Sequence, residues 1–421
     1  MRPLVLILML AACSPFPDGF GDDAKDLALL EDVPSLQHLA AALDDAAELD
    51  VSSLVSGSMD YTSAPDPSDW IQQTYDDHQA LPPLAEGAVP LRVLTYNVGL
   101  LSRKYLGATV EVPRITERRE RFAEELLTAD YDVLLLQEIW ENEDVDRLRA
   151  AAETHGYLVY AGTDDLHPEH GLAIAIRESL VEADEGQTET QFHAQRKLEF
   201  SPGPNIKRGW LTWSFQLAGT SQTVHLYNLH ATSFVQFWQK RDLQAREVGL
   251  EVAAHPDTDV VILGGDLNSG PFYVDDVWVN GEGKDVPDWW RNATSWALWQ
   301  HYGEMYDVHG AAAPLQDVVD GQAIPSDWEG YLSEPYGDDT FCDTATATFT
   351  GTDCNSLYFD QYAGTEYPAR LDHLMVRDPS QHVRVDGSEL TFVEPLDFGG
   401  ESFELSDHYG VAADLRIGEV P

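Results

Sequence analysis

Two short apolar runs constrain this chain most. Val-Leu-Leu-Leu at 133–136 and Val-Val-Ile-Leu at 260–263 each follow an aspartate, Asp132 and Asp259, and each leads to an acidic side chain, Glu138 and Asp266. Such runs are too short for a helix, and with successive apolar positions they read as strands covered on both faces. Around them, residues 91–97, 171–177, 210–216 and 223–229 also read as strands, with late strands at 370–376 and 409–415. Residues 117–129, 144–155 and 239–254 read as helices. Strands alternate with helices first and then follow one another directly. That order predicts an α/β fold in which helices cover sheets with some antiparallel pairing.

The 421 residues allow two or three domains, or one large α/β domain. A hydrophobic share of 43% supplies a sizeable core and excludes wholesale disorder. Against 25 Lys and Arg stand 73 Asp and Glu, a net charge of −48. A surface so acidic disfavours nucleic acid and strongly anionic membranes, because phosphate backbones are held mainly by Lys and Arg. It leaves a metal site or a zwitterionic substrate open. Solubility in high salt is another origin of the charge.

The N-terminus has a positive start, Met1-Arg2-Pro3, a short apolar run over residues 4–12, and Leu-Ala-Ala-Cys at its end. This describes a secretory signal. The closing Cys13 is similar to that of a bacterial lipobox, which implies cleavage after residue 12 and a lipidated mature terminus at Cys13. An ordinary signal peptide is the alternative. Ser14 is not the inner-membrane retention Asp of such signals, so an exported, membrane-anchored lipoprotein at the outer membrane or cell surface is expected. Cys342 and Cys354 remain, and in an oxidising compartment they form a disulfide or stay as two buried thiols. Residues 13–90 read as an acidic tether with a helical stretch at 26–49, followed by the main domain at 91–417. Residues 270–369 lack clear elements and read as an insertion around a functional face. Trp278, Trp289, Trp290, Trp296 and Trp299 lie within it. In a lipid-directed enzyme this Trp-rich stretch, about residues 272–302, lies beside the catalytic mouth and touches a lipid surface, with Trp278, Trp289 and Trp290 as candidates for membrane or substrate contact. The alternative is that these Trp fill a core under a long insertion.

Polar residues recur where the strands end: Asn97, Glu138, His230, Asp266, Asn268, Asp372, and Asp407 with His408. Strand ends are where α/β sheets gather their sites, although a single Asn or Asp there more often caps a turn. The ordered set Thr-Tyr-Asn, Leu-Gln-Glu, Asn-x-His, Gly-Asp-Leu-Asn, Leu-Asp-His and Ser-Asp-His resembles the endonuclease/exonuclease/phosphatase superfamily over about residues 91–416. The resemblance implies a four-layer α/β/β/α sandwich and a metal-dependent phosphoric diester hydrolase with its site at one end of the paired sheets.

It also implies roles. Glu138, with the amide oxygen of Asn97, holds Mg²⁺, or Mn²⁺ in its place. His408 takes the proton of the attacking water, oriented by Asp372. Asp266 aligns the water, Asn268 and His230 donate to phosphate oxygens, and Asp407 lies toward the metal. No acidic residue follows Asn97 two places on, as in many sphingomyelinases but unlike several nucleases of the superfamily, and His230 sits in Asn-Leu-His-Ala where Thr-His-Leu is usual. Gln-Glu-Ile-Trp at 137–140, Lys207-Arg208-Gly209 and the approach to Asp372 resemble the sphingomyelinase branch. A phospholipid substrate, attachment through Cys13 and a monomer are the expectation. An exported nuclease, with Arg196, Lys197, Lys207 and Arg208 as its few local cations, and a non-catalytic surface-binding lipoprotein are the alternatives.

Overall fold

The computed structural model describes residues 67–105, 108–162, 170–192, 208–233, 238–270, 288–312 and 371–421. Cys13, Cys342, Cys354, Trp278, Arg196, Lys197, Lys207 and the stretch at 26–49 lie outside the described residues, as do the side chains of Trp289 and Trp290.

In chain order the elements are α1 (Pro67–Gln79), β1 (Val89–Asn97), the hairpin β2 (Ser102–Tyr105) and β3 (Ala108–Glu111), α2 (Ile115–Thr128), β4 (Val133–Gln137), α3 (Asn142–His155), β5 (Tyr157–Tyr160), β6 (Ala173–Arg177) and β7 (Val181–Gln191). They continue with β8 (Gly209–Leu217), β9 (Thr223–His230), α4 (Trp238–Ala253), β10 (Val260–Asp266), α5 (Asp288–Gly303), β11 (Tyr306–Asp307), α6 (Val308–Ala312), β12 (Asp372–Arg377), β13 (Val383–Thr391), the short pair β14 (Leu396–Asp397) and β15 (Ser402–Phe403), and β16 (Gly410–Ile417).

Among the described residues the strands form two six-stranded sheets, ordered β13-β16-β1-β4-β6-β5 and β11-β12-β10-β9-β8-β7. Each is mixed: β1 runs parallel to β4 and β10 parallel to β9, with antiparallel neighbours around them. The side-chain alternation of a strand then sorts the core into layers. Val93, Val133, Leu135 and Ile174 of the first sheet meet Leu211, Phe215, Leu226 and Ile262 of the second. On the outer face of the first sheet, Leu94, Leu134 and Leu136 pack under Phe122 and Leu126 of α2 and Val145 and Leu148 of α3. On the outer face of the second, Val261, Leu263 and Met375 pack under Val248 and Val252 of α4 and Trp296 and Trp299 of α5. The result is the expected α/β/β/α sandwich.

The sheets approach closely beside the functional end. A Cβ on Gly264 would stand 2.5 Å from Cδ1 of Leu135 in the facing sheet and 2.9 Å from Cδ2 of its neighbour Leu374, so a side chain there would force these buried leucines to shift. Buried amides pin the layers together. Asn228 Nδ2 donates to the Leu136 and Ala173 carbonyls at 2.8 Å each, and Gln137 Nε2 donates to Asn228 Oδ1 at 2.7 Å.

Three features differ from the sequence reading. Residues 288–312, inside the stretch read as lacking elements, hold α5, β11 and α6. Asn292, Thr294 and Ser295 within α5 are weak helix formers. The helix is instead held by burial of Trp296 and Trp299, and by Trp296 Nε1 donating to Asp307 Oδ2 at 3.1 Å. Those two tryptophans are core, not surface. Part of the segment read as tether belongs to the folded body. Ile71 of α1 is buried and His78 Nε2 accepts the Val385 N–H at 2.9 Å. Among the described residues no helix is long and apolar enough to cross a membrane.

Candidate active site

Register delivers the site residues to one end of both sheets. Asn97 closes β1 opposite Gln137 of β4, so Glu138 emerges beside it. Asp266 closes β10 between His230 of β9 and Asp372 of β12, its register partners on the two sides. His408 stands just before β16, the other neighbour of β1. Two of these residues, Glu138 and Asn268, take left-handed backbone angles, with φ of 62° and 48°. Such angles are uncommon for residues other than glycine. At both, the chain turns sharply out of a strand.

Direct hydrogen bonds join the two sheets here. Asn97 Nδ2 donates to Asp266 Oδ2 at 3.1 Å and lies 3.4 Å from His408 Nε2. His408 Nδ1 and Asp372 Oδ2 are 2.8 Å apart, and both residues are buried. His230 Nε2 is 3.2 Å from Asp266 Oδ2. The backbone N–H of Asn268 donates to Asp266 Oδ1 at 3.0 Å, and its Nδ2 donates to the Ala231 carbonyl at 3.2 Å. Ser406 Oγ donates to the Asn97 carbonyl at 2.6 Å and is 3.2 Å from Asp407 Oδ1, which brings Asp407 to the same loop pair.

The electrostatics divide these groups. Burial opposes the charged form of His408, but Asp372, with Asp266 and Asp407 behind it, prevails and holds the ring up at about 10. Burial, reinforced by Arg208, pushes His230 down to about 4, so it is neutral. With its Nε2–H engaged by Asp266, that neutral ring serves to fix Asp266. Burial also opposes charge on Asp266, yet His230, His408 and Arg208 hold its carboxyl well below the usual range. Glu138 moves the other way. Burial, and then Asp407, push it up to about 7.

A metal was expected at Glu138 and Asn97, and the donor set suits one. Four carboxyl groups, from Glu138, Asp266, Asp372 and Asp407, gather at the end of the sheets, and Asp407 and Asp266 add to burial in raising Glu138. Ligand atoms of Asp266, Asp372 and His408 also lie within 4.8 Å of one another. In that trio Asp372 Oδ2 and His408 Nδ1 already face each other at 2.8 Å. Glu138 and the remaining lone pair of Asn97 Oδ1, whose other accepts the Gly99 N–H at 3.0 Å, offer the hard oxygen donors that a small divalent cation prefers.

The family model described as "Endonuclease/Exonuclease/phosphatase family" matches residues 94–310, just over half of the chain. The chain belongs to the endonuclease/exonuclease/phosphatase family. The match spans Asn97, Glu138, His230, Asp266 and Asn268. Asp372 and His408 lie beyond it, and register brings them to the same site. No curated protein sequence matches. Among solved structures, beta toxin 275–280 from Staphylococcus aureus is similar at 16% identity and a TM-score of 0.50, covering 77% of this chain and 99% of its own. Sphingomyelinase C from Streptomyces griseocarneus is 21% identical, with a TM-score of 0.46 over 77% of this chain and 99% of that one. TDP2 from D. rerio complexed with single strand DNA product is 20% identical, with a TM-score of 0.48 over 77% and 98%. The first shares this family's fold.

Several site-building residues of this family member carried no chemical signal in the sequence. Gln137 and Asn228 sit inside the motifs but act between the sheets. Ser406 ties two loops. Arg208, read both within the Lys207-Arg208-Gly209 run and as one of the few local cations, is buried, with Nη2 3.2 Å from Ser233 Oγ, and its charge acts on Glu138, His230 and Asp266.

Proposed function

We propose that this protein is a metal-dependent phosphoric diester hydrolase of sphingomyelinase type, acting on a phospholipid at a membrane to which lipidated Cys13 attaches it. The observation that carries the hydrolase reading is the buried His408–Asp372 pair beside Asn97 and Asp266, on a base of crowded carboxylates. Glu138 and Asn97 would hold Mg²⁺ or Mn²⁺. Such an ion supplies positive charge to a phosphate oxygen and to an attacking water when bound. The surrounding carboxylates hold His408 charged, and a cation at Glu138 and Asn97 would offset them and free the neutral ring. That neutral ring then accepts the proton of the water as its oxygen bonds to phosphorus and the bond to the leaving oxygen breaks, and the leaving oxygen takes a proton from solvent. Asp372 keeps the ring oriented and stabilises its charged form. Asp266, fixed by His230 and Asn97, orients the water. Asn268 and Arg208 face the developing negative charge.

The net charge of −48 favours a substrate without net charge, such as a choline phospholipid, over a polyanion. The test is liposomal sphingomyelin beside duplex DNA, each with and without chelator, across a salt series. Lipid hydrolysis that needs the divalent ion and survives moderate salt is expected. DNA cleavage without lipid hydrolysis would overturn the substrate while leaving the hydrolase. Mass spectrometry of the mature N-terminus tests the anchor, and an unmodified terminus away from Cys13 would remove it.

A further inference from the structure

We propose that Arg118 of α2 is a positioning residue for this centre, one that sets the separation between Asn97 and His408; this rests on the functional reading above. Arg118 is 0% exposed, yet its hydrogen bonds go to main-chain carbonyls from three separate segments. Nη1 donates to Val98 O at 3.0 Å and Leu405 O at 3.1 Å, and Nη2 to Gly99 O at 2.7 Å and Val112 O at 3.4 Å. Nε donates to Pro113 O at 3.0 Å.

These acceptors flank the site. Val98 and Gly99 directly follow Asn97, Leu405 precedes Asp407 and His408 by two and three residues, and Val112 and Pro113 lead into α2. One rigid, planar group that stays charged therefore spans the loop after β1 and the loop before β16. Because Val98 O and Leu405 O share Nη1, the distance between the two loops is set by one nitrogen. Ser406 Oγ, bonded to the Asn97 carbonyl at 2.6 Å and accepting the His408 N–H at 3.2 Å, makes a second tie between the same loops. Gly99 completes the fit. Its φ is +57°, and a Cβ there would run into Asp407 Oδ1 and Ser406 Oγ. Burying an ion is costly even with Asp407 and Glu138 acting on it, and an apolar side chain would fill the space under α2 without that cost. The charge is placed directly behind the Asn97–His408 contact, and it holds that contact.

The test compares wild type with Arg118→Lys and with the neutral Arg118→Gln. Lysine keeps the charge but donates from one nitrogen, so it cannot span all three segments. Melting temperature, Mn²⁺ affinity by calorimetry, kcat and KM, and a crystal structure are the readouts. In a folded variant Mn²⁺ binding is expected to weaken about 10-fold, and kcat to fall about 10- to 100-fold with KM little changed, the range typical of groups that orient metal ligands. A lowered melting temperature with Mn²⁺ affinity and kcat at wild-type levels would overturn the proposal. So would failure of both variants to fold, which would make Arg118 a residue of stability alone. If wild type hydrolyses no phosphoester, the functional reading falls by itself and the crystal structure decides the positioning. An Asn97–His408 separation still near 3.4 Å in the variant would contradict it, and a widened one would support it.

Discussion

Replacing Asn228 with alanine removes the pin between the two sheets. Asn228 is 0% exposed and lies two residues before His230. Its amide makes three hydrogen bonds across the layers, to Leu136 O, to Ala173 O and from Gln137 Nε2. At a net of about 1 kcal/mol for each buried hydrogen bond, the loss is about 3 kcal/mol. The small cavity left behind adds to it. Gln137 Nε2 keeps Thr95 Oγ1 at 3.1 Å and Leu135 O at 2.9 Å, so it is not orphaned and contributes no further penalty. Urea unfolding followed by tryptophan fluorescence and circular dichroism measures the change. With a slope of about 3 kcal/mol per molar, the midpoint should drop by about 1 M. Asn228→Asp should cost at least as much, because a carboxylate oxygen would then face two carbonyls with nothing to donate. A loss under about 1 kcal/mol for Asn228→Ala, with the slope unchanged, would refute the claim that these bonds hold the sheets in register.

Other outcomes follow from single contacts. Burial, and then Arg384, push His78 down to about 4, and its neutral ring accepts the Val385 N–H. Between its ordinary value of about 6.5 and about 4 the unfolded chain binds a proton that the native state does not, so stability should fall as pH drops through that window. His78→Gln should flatten the slope of stability against pH, and an unchanged slope would sink the assignment. Trp299→Ala should cost about 3–5 kcal/mol, the usual loss for a fully buried tryptophan, and should leave liposome binding intact. Unchanged stability with weaker liposome binding would return Trp299 to the surface. Gly99→Ala should lower turnover about 100-fold with KM little altered, because the new methyl displaces Asp407 and Ser406. Wild-type turnover would show that loop to be pliable.

What the sequence made legible follows the physics of each feature. The strands buried on both faces, such as Val133–Gln137 and Val260–Asp266, were plain because a continuous apolar run too short for a helix fits little besides a buried strand. The strand-end polar residues were plain as an ordered set, and register then explains why residues from Asn97 to His408 meet. β7 was missed because its exposed edge reads Val-Glu-Ala-Asp-Glu-Gly-Gln-Thr-Glu-Thr-Gln, with no apolar alternation to find. α5 was missed because tertiary burial of Trp296 and Trp299 overrides weak local propensity. Arg118 was invisible for another reason. In sequence it is one charged residue in a charged helix, and only the fold turns it inward onto five carbonyls.

The central claim is that His408, oriented by Asp372 at 2.8 Å, moves the proton in phosphoester hydrolysis. The most direct measurement is the Mg²⁺-dependent turnover of purified His408→Ala against wild type on the same phosphodiester, with melting curves showing that the variant is folded. Turnover should fall about 100-fold or more, the usual scale of acid–base catalysis. A folded variant that turns over at the wild-type rate would contradict the role assigned to His408.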